Sequence, residues 1–423
     1  MKSVATTLDP EVEPVGRAQA AGSRAPRIYY AAGNGDIMGT YAHWKEEKDD
    51  PSQLSMTYSG QFFDLCRRLG GTGVVVVHDG RTGVARDGRF TIRQRRPARF
   101  GQGPGPLYHL EQFWQAMRVI AGAVRAGADV VVPASGACHW FPLAVLPMFG
   151  IKVVPALHCV LWPKYRRQGR LGRMITALDK QLFKRCAAIL TASSDIEDQL
   201  AELIGSERMK KVRLLPFLPT YRSASFPEIV PAPAMKPFRV LYAGRVVAEK
   251  GVFDLVKIAG MLKSEGRVVE FDICGSGAAL EEMKKQAAEQ GVAMRFHGHC
   301  NRPVMVEMFR NAHAVIVPTT TGFVEGFNQV VAEGILAGRP VVTSDVCPAI
   351  RYVGDAAVVV PPDDVAAYAK ALARLADDAA FYRQCADACV AMREQFFDEA
   401  RGWGAALQKA VRIALPVPAG GQA

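Results

Sequence analysis

The stretch FRVLYAGRVVAEKGVFDLVKIAGML, Phe238–Leu262, decides the fold. An apolar run around Val240–Ala243 predicts a buried strand, and the run ends at Gly244. Arg245 and Lys250 leave the carboxyl end of that strand together. In open α/β sheets ligands bind in the crevice outside the strand ends. A forked guanidinium beside a compact ammonium suits the two phosphates of a nucleotide diphosphate. Standing alone, the two cations would be ordinary surface charge around a strand-to-helix turn.

Working outward, the stretch EGFNQVVAEGILAGRPVV, Glu325–Val342, holds two glutamates eight residues apart. An ionised carboxylate accepts from two neighbouring hydroxyls at once, so each of Glu325 and Glu333 is suited to a sugar or ribose ring. Were both helical, they would lie within roughly 80° of each other around the axis. The Gly-containing turn places Glu325 ahead of the helix instead, with Glu333 deeper along it. The first amides of that helix, near Gly326–Gln329, add donors for an anion. A bare pair of glutamates at this spacing more often describes one acid at a helix start and one solvated further along.

The rest of the chain repeats the strand and helix alternation. Apolar runs at Arg27–Ala32, Gly73–His78, Asp129–Pro133, Lys152–His158 and Ala188–Ala192 predict strands, with helices near Ser59–Leu69 and Leu107–Ala126. A second alternation has strands near Phe238–Ala243, Val269–Cys274, Ala293–Phe296, Ala314–Val317 and Pro340–Thr343. Such alternation implies parallel strands with crossover helices. The fold class is therefore α/β, with two doubly wound Rossmann-like domains facing each other across a cleft. Glu228–Pro237, with Pro231, Pro233 and Pro237, is the candidate linker. The expected organisation is a disordered leader over 1–26, an acceptor-binding domain over 27–230, and a nucleotide-sugar domain over 231–395. Residues 396–423 then form a returning helix and tail.

GRVVAEKG, ICGSG at Ile273–Gly277, RFHGHC at Arg295–Cys300, the EGF…AEG…AGRPVV block and VVVPPDD at Val358–Asp364 occur in one order and spacing across Phe238–Leu375. In this the chain resembles the retaining glycosyltransferases of family 4, which have the GT-B fold. The resemblance covers roughly a third of the chain and is thinner elsewhere. It implies that Arg245 and Lys250 bind the diphosphate of the sugar donor, that Glu325 contacts the donor sugar, and that Glu333 holds the ribose hydroxyls. Gly244 and the Gly326, Phe327 and Asn328 turn fall in the same donor site. The family commonly has Gly where this chain has Asn328, a residue that tolerates left-handed backbone but adds a side chain facing the donor. LLPFLPTYRSASF, Leu214–Phe226, keeps only Pro216 of the usual interdomain turn.

Two further features belong to the first half. AAGNGDIMGTYAHW carries Gly33, Gly35 and Gly39 after the first strand, and a Gly-rich loop there lets backbone approach a bound phosphate or sugar. It is not a dinucleotide fingerprint, and the resemblance places it as a loop bordering the cleft. His158 closes a strand where family members often carry a histidine near the donor sugar, although a lone His is commonly a packed residue. The resemblance thus makes Arg245, Lys250, Glu325 and His158 the catalytic set. His43 and Trp44 offer an acceptor platform or, more plainly, core packing.

Composition bounds the partners. A chain of 423 residues with 49% hydrophobic and 22% charged residues reads as a soluble, globular, two-domain protein. The formal charge of +11 is uneven: Met1–Ser225 holds 31 Lys+Arg against 19 Asp+Glu, a net +12. Nine scattered cysteines without a CxxC pair predict thiols in a reducing compartment, with no disulfide and no structural metal. No signal peptide is evident, and Trp140–Trp162 is broken by prolines that exclude a spanning helix. Two basic runs, Arg93–Arg99 and Trp162–Ile175, mix cations with apolar residues and suit an anionic membrane surface or, equally, describe solvated charge on loops. Nothing resembles a nucleic-acid-binding motif.

The expected function is transfer of a sugar from a nucleotide diphosphate sugar to an acceptor, with retention of configuration and no metal or cofactor. The acceptor class expected is a polyprenyl-linked glycan intermediate in bacterial polysaccharide assembly, handled in the cytoplasm or at the inner membrane face. A nucleotide-sugar epimerase on the same fold, or a non-catalytic nucleotide-sugar-binding protein, is the alternative.

Overall fold

In a computed structural model, the structure describes residues 25–78, 80–96, 105–226, 228–230, 232 and 235–416. The expected leader over 1–26 therefore lies almost wholly outside the described residues, as do Pro97–Arg99 of the first basic run and part of the Pro-rich linker.

Nine strands build the first half: β1 (Arg27–Ala31), β2 (Thr72–His78), β3 (Gly83–Asp87), β4 (Phe90–Arg95), β5 (Val130–Pro133), β6 (Lys152–Val153), β7 (Ala156–Leu157), β8 (Ala188–Thr191) and β9 (Arg213–Pro216). The first six form one sheet in the order β3-β4-β2-β1-β5-β6, and β7-β8-β9 form a small neighbouring sheet. The expected single strand over Lys152–His158 is thus two strands in two sheets. Pro155 lies between them and has no N–H to continue a ladder. The β3/β4 hairpin is antiparallel on an otherwise parallel sheet, and its turn is Gly88-Arg89. Its charged, half-exposed strands lack the apolar run that marks a buried one.

Six strands build the second half: β10 (Phe238–Ala243), β11 (Val269–Cys274), β12 (Met294–Gly298), β13 (Ala314–Val317), β14 (Val341–Ser344) and β15 (Ala357–Val360). They form a parallel sheet in the order β12-β11-β10-β13-β14-β15, so the order reverses beside β10. That reversal opens a crevice at the carboxyl end of β10, where Arg245 emerges.

Each half has its own core, and a further apolar cluster joins them. Leu218, Tyr221 and Phe226 pack with Phe327, Ile335 and Phe396. Here the chain crosses between halves twice, side by side: Leu218 N donates to the Arg401 carbonyl, and Tyr221 N to that of Phe396, both at 2.9 Å. The helix Trp403–Ala414 then packs on the first core, with the Trp403 ring 5.5 Å from Tyr30.

Candidate functional site at the interdomain cleft

The site grows from the carboxyl end of β10. Gly244 ends the strand, and the backbone of Gly275, from the loop after β11, lies directly against it. A Cβ on Gly275 would sit 1.8 Å from the Gly244 carbonyl oxygen, so only glycine fits. Two loops thereby meet at one point, and Arg245 projects from it. Arg245 lines two cavities: one of about 570 Å³ shared with Ser135, Cys159 and Asp179 of the first half, and one of about 250 Å³ shared with Ser276 and Glu333.

Lys250 ends a short 3-10 turn, Ala248–Lys250, and its Nζ donates to Glu325 Oε2 at 2.5 Å. Thr319 Oγ1 at 3.3 Å and Asn328 Nδ2 at 3.0 Å donate to the same oxygen, while the Gly326 amide reaches Oε1 at 3.1 Å. The carboxylate is buried yet fully partnered, which removes the penalty of an isolated buried charge. The Phe323 ring lies below both cations, with its centroid 4.1 Å from Lys250 Nζ and 5.4 Å from Arg245 Cζ. Its π-face attracts the cations without using up their hydrogen bonds.

Asn328 has a left-handed φ of 66° at the entry to the helix Gln329–Leu336. The side chain that replaces glycine turns toward Glu325 and fixes it. Phe327 does not face the cleft: its ring is buried against Tyr352 and Phe396 in the core, because the turn directs it inward. Glu333 sits within the helix, buried, with Tyr221 Oη 3.4 Å from Oε1. Burial pushes its carboxyl up to about 7, and the tyrosine hydrogen bond only partly opposes this.

Both halves close on the site. Cys159 bridges Gly326, Val160 N donates to the Glu325 carbonyl at 3.2 Å, and a Cβ on Gly326 would meet the His158 carbonyl oxygen at 2.0 Å. Ser55 and Tyr58 reach Gln329 at 3.1 and 3.4 Å. The His158 backbone therefore touches the Gly326 turn, while its ring packs at a tilt on Tyr58, 4.4 Å between centroids. Both ring nitrogens are shut off from solvent without a hydrogen-bond partner, and burial lowers the imidazole to about 4. Gly33 and Gly35 line a cavity of about 310 Å³ together with His158 and Ser135. Arg245, Lys250, Glu325, Gly244, Gly326, Asn328 and Glu333 thus gather at one cluster or its helix; His158, Gly33 and Gly35 line the facing wall, and Phe327 belongs to the core. Thr319, Phe323 and Tyr221 complete the site without a signal in the local sequence.

The basic runs take other places. Arg93 and Arg95 lie half-buried on β4, an inner strand, because the run continues the sheet. Lys164 spans to the second half, 3.5 Å from Asp345, and also lies 4.0 Å from Asp195 of its own half. Trp44 packs on Tyr41, Phe63 and Phe90, which makes it a core ring. Among the described residues, no helix is long and apolar enough to cross a membrane.

Comparison with known proteins agrees with this architecture. The profile described as Glycosyl transferases group 1 matches residues 228–390, and that described as Glycosyltransferase Family 4 matches residues 61–216. A glycogen synthase of Mycobacterium tuberculosis is 26% identical over 244 residues, covering 56% of this chain and 58% of that protein. The match thus spans little more than half of that relative. Among solved structures, sucrose-phosphate synthase from Thermosynechococcus elongatus superposes with a TM-score of 0.66 at 17% identity, covering 92% of this chain and 98% of the other. The Anabaena protein HepE in complex with UDP-glucose superposes with a TM-score of 0.60 at 14% identity, covering 92% and 98%.

Proposed function

Because the chain belongs to the glycosyltransferases of the family 4 type with the GT-B fold, we propose that it moves a sugar from a nucleotide diphosphate sugar to an acceptor with retention of configuration. One observation carries this reading: Arg245, Lys250 and Glu325 form a single buried-to-open cluster at the reversal point of the second sheet, facing the first half. When the anomeric bond breaks, negative charge collects on the departing diphosphate and positive character on the sugar. Arg245 and Lys250 answer the former, with the helix amides after Gly326. Lys250 exchanges part of its pairing with Glu325 for phosphate, and the released Glu325 oxygen accepts from a sugar hydroxyl. Glu333 accepts from the ribose. With two cations and helix amides on the diphosphate, the reaction needs no metal ion.

The larger cavity, walled by the first half, receives the acceptor. A polyprenyl-linked glycan at the inner face of a bacterial membrane fits the basic excess of that half. The structural neighbour crystallised with UDP-glucose supports a nucleotide-sugar donor. Incubating the protein with a panel of nucleotide sugars, with and without acceptor, tests the reading. A transferase releases free nucleotide diphosphate and yields a glycosylated acceptor. Interconversion of sugars without release marks an epimerase, and binding alone marks a non-catalytic protein.

A further inference from the structure

The helix Pro106–Ala126 is apolar on two sides: Ala116, Val119, Ile120 and Ala123 pack into the first core, and a second apolar stripe faces outward. Leu107, Leu110, Trp114, Met117 and Val124 recur at helical spacing along its solvent side, with Trp114 50% exposed, while Glu111 and Gln115 are buried. The helix packs on the 3-10 turn Phe141–Phe149, where Phe113 and Phe141 stack at 6.1 Å, and that turn packs on the helix Arg170–Phe183. Both add to the same apolar exposure: Met148 is 84% and Phe149 58% exposed, and Leu171, Met174 and Leu178 repeat the spacing on the second helix. An exposed apolar surface of this extent marks an interaction site rather than scatter.

Charge selects the partner. The three elements contain only two acids, Glu111 and Asp179, and both are buried. The cations remain outside: Arg125, Arg170 and Arg173 are exposed, and the Arg118 guanidinium lies over the Trp114 ring at 5.6 Å. Apolar side chains ringed by cations and free of exposed carboxylates fit anionic headgroups, with the hydrocarbon dipping below them. These elements also reach inward, for Tyr108, Thr176 and Asp179 line the cavity that ends at Arg245.

We propose that the outward faces of Pro106–Ala126, Phe141–Phe149 and Arg170–Phe183 together dock on an anionic bilayer surface, holding the mouth of the cleft cavity at the headgroups. The inference rests on the transferase reading only in taking that cavity as the acceptor's entrance. It replaces Arg93–Arg99 as the contact surface and keeps only the end of Trp162–Ile175.

The test is co-sedimentation of the full chain with vesicles of phosphatidylcholine alone and of phosphatidylcholine mixed with phosphatidylglycerol, beside an assay of nucleotide diphosphate release without vesicles. Wild type should bind the mixed vesicles, and the pairs Leu110→Glu with Trp114→Glu and Arg170→Glu with Arg173→Glu should each weaken that binding by about tenfold or more. Circular dichroism and nucleotide release should stay unchanged in both. Indifference to anionic lipid, unaltered binding by either pair, or a concentration-dependent dimer that the same substitutions dissolve would overturn the proposal. Docking as expected without any nucleotide release would remove the transferase reading alone.

Discussion

The ammonium of Lys250 lies 2.5 Å from a carboxylate oxygen of Glu325, and the two residues stand 75 positions apart in the chain. One comes from the turn after β10 and the other from the loop after β13, so the pair ties together the two strand ends that flank the crevice. Two further side chains, Thr319 and Asn328, hold the same oxygen. Glu325 thus fixes the cation, and in the proposed reaction a diphosphate competes for it.

On the proposed reading, removal of either Arg245 or Lys250 should depress turnover sharply. Arg245→Ala and Lys250→Ala are each expected to lower kcat by roughly 100- to 1000-fold, by analogy with loss of one oxyanion donor. Steady-state assay with thermal melting alongside checks this; a well-folded variant with full activity would refute the assignment.

At Asn328 the left-handed backbone and the bond to Glu325 make opposite demands. Asn328→Gly relieves the first and loses the second, so stability should change by less than about 1 kcal/mol. Asn328→Ala loses the bond and keeps the strain, and should cost about 1–2 kcal/mol. Denaturant melts of both variants would distinguish this from equal losses.

Closure of the halves depends on Gly326, whose missing Cβ leaves room for the His158 carbonyl. Gly326→Ala should push the halves apart and abolish transfer while circular dichroism stays native. Small-angle scattering should show a larger radius of gyration; an unchanged radius with full activity would count against the contact.

Glu333 gives the site a pH dependence. Burial raises its carboxyl from 4.5 to about 7, so the folded state holds the proton more tightly than the unfolded one. Its contribution to stability is therefore present below about pH 4.5 and is lost as pH rises through 7, by at most on the order of 3 kcal/mol. Glu333→Gln should accordingly gain stability relative to wild type at pH 8 and not at pH 4. Ribose hydroxyls need the ionised acceptor, so wild-type KM for the donor should fall as pH rises through about 7. A KM profile that Glu333→Gln leaves unaltered would break the link to ribose.

Much of this was legible in the sequence, for physical reasons that differ by residue. The strand Ala314–Val317 is buried throughout and reads as an unbroken apolar run; Phe238–Ala243 is interrupted only by Arg239, while Val269–Cys274 carries Glu270 and Asp272 at half-buried positions and reads as an alternation instead. The β3/β4 hairpin exposes charge on a sheet edge and gives no such run. Arg245 and Lys250 are legible from their place just after an apolar strand, and Glu325 from its pairing with Glu333 eight residues on; only the ordered set of motifs lifts them above ordinary surface charge. Tyr221 did not, since it meets Glu333 only after the chain crosses between halves, 112 residues away. Periodicity found the helix near Leu107–Ala126 but not its orientation: an apolar stripe looks the same whether it faces the core or the solvent.

The central claim, that Arg245 and Lys250 hold a diphosphate, is tested most directly by calorimetric titration with nucleoside diphosphates and the matching nucleosides. The diphosphate that binds wild type should lose about tenfold or more in affinity with either Arg245→Ala or Lys250→Ala, in keeping with a lost charge-assisted bond. The nucleoside should bind all three proteins alike. Equal affinity of wild type and both variants for the diphosphate would contradict the account.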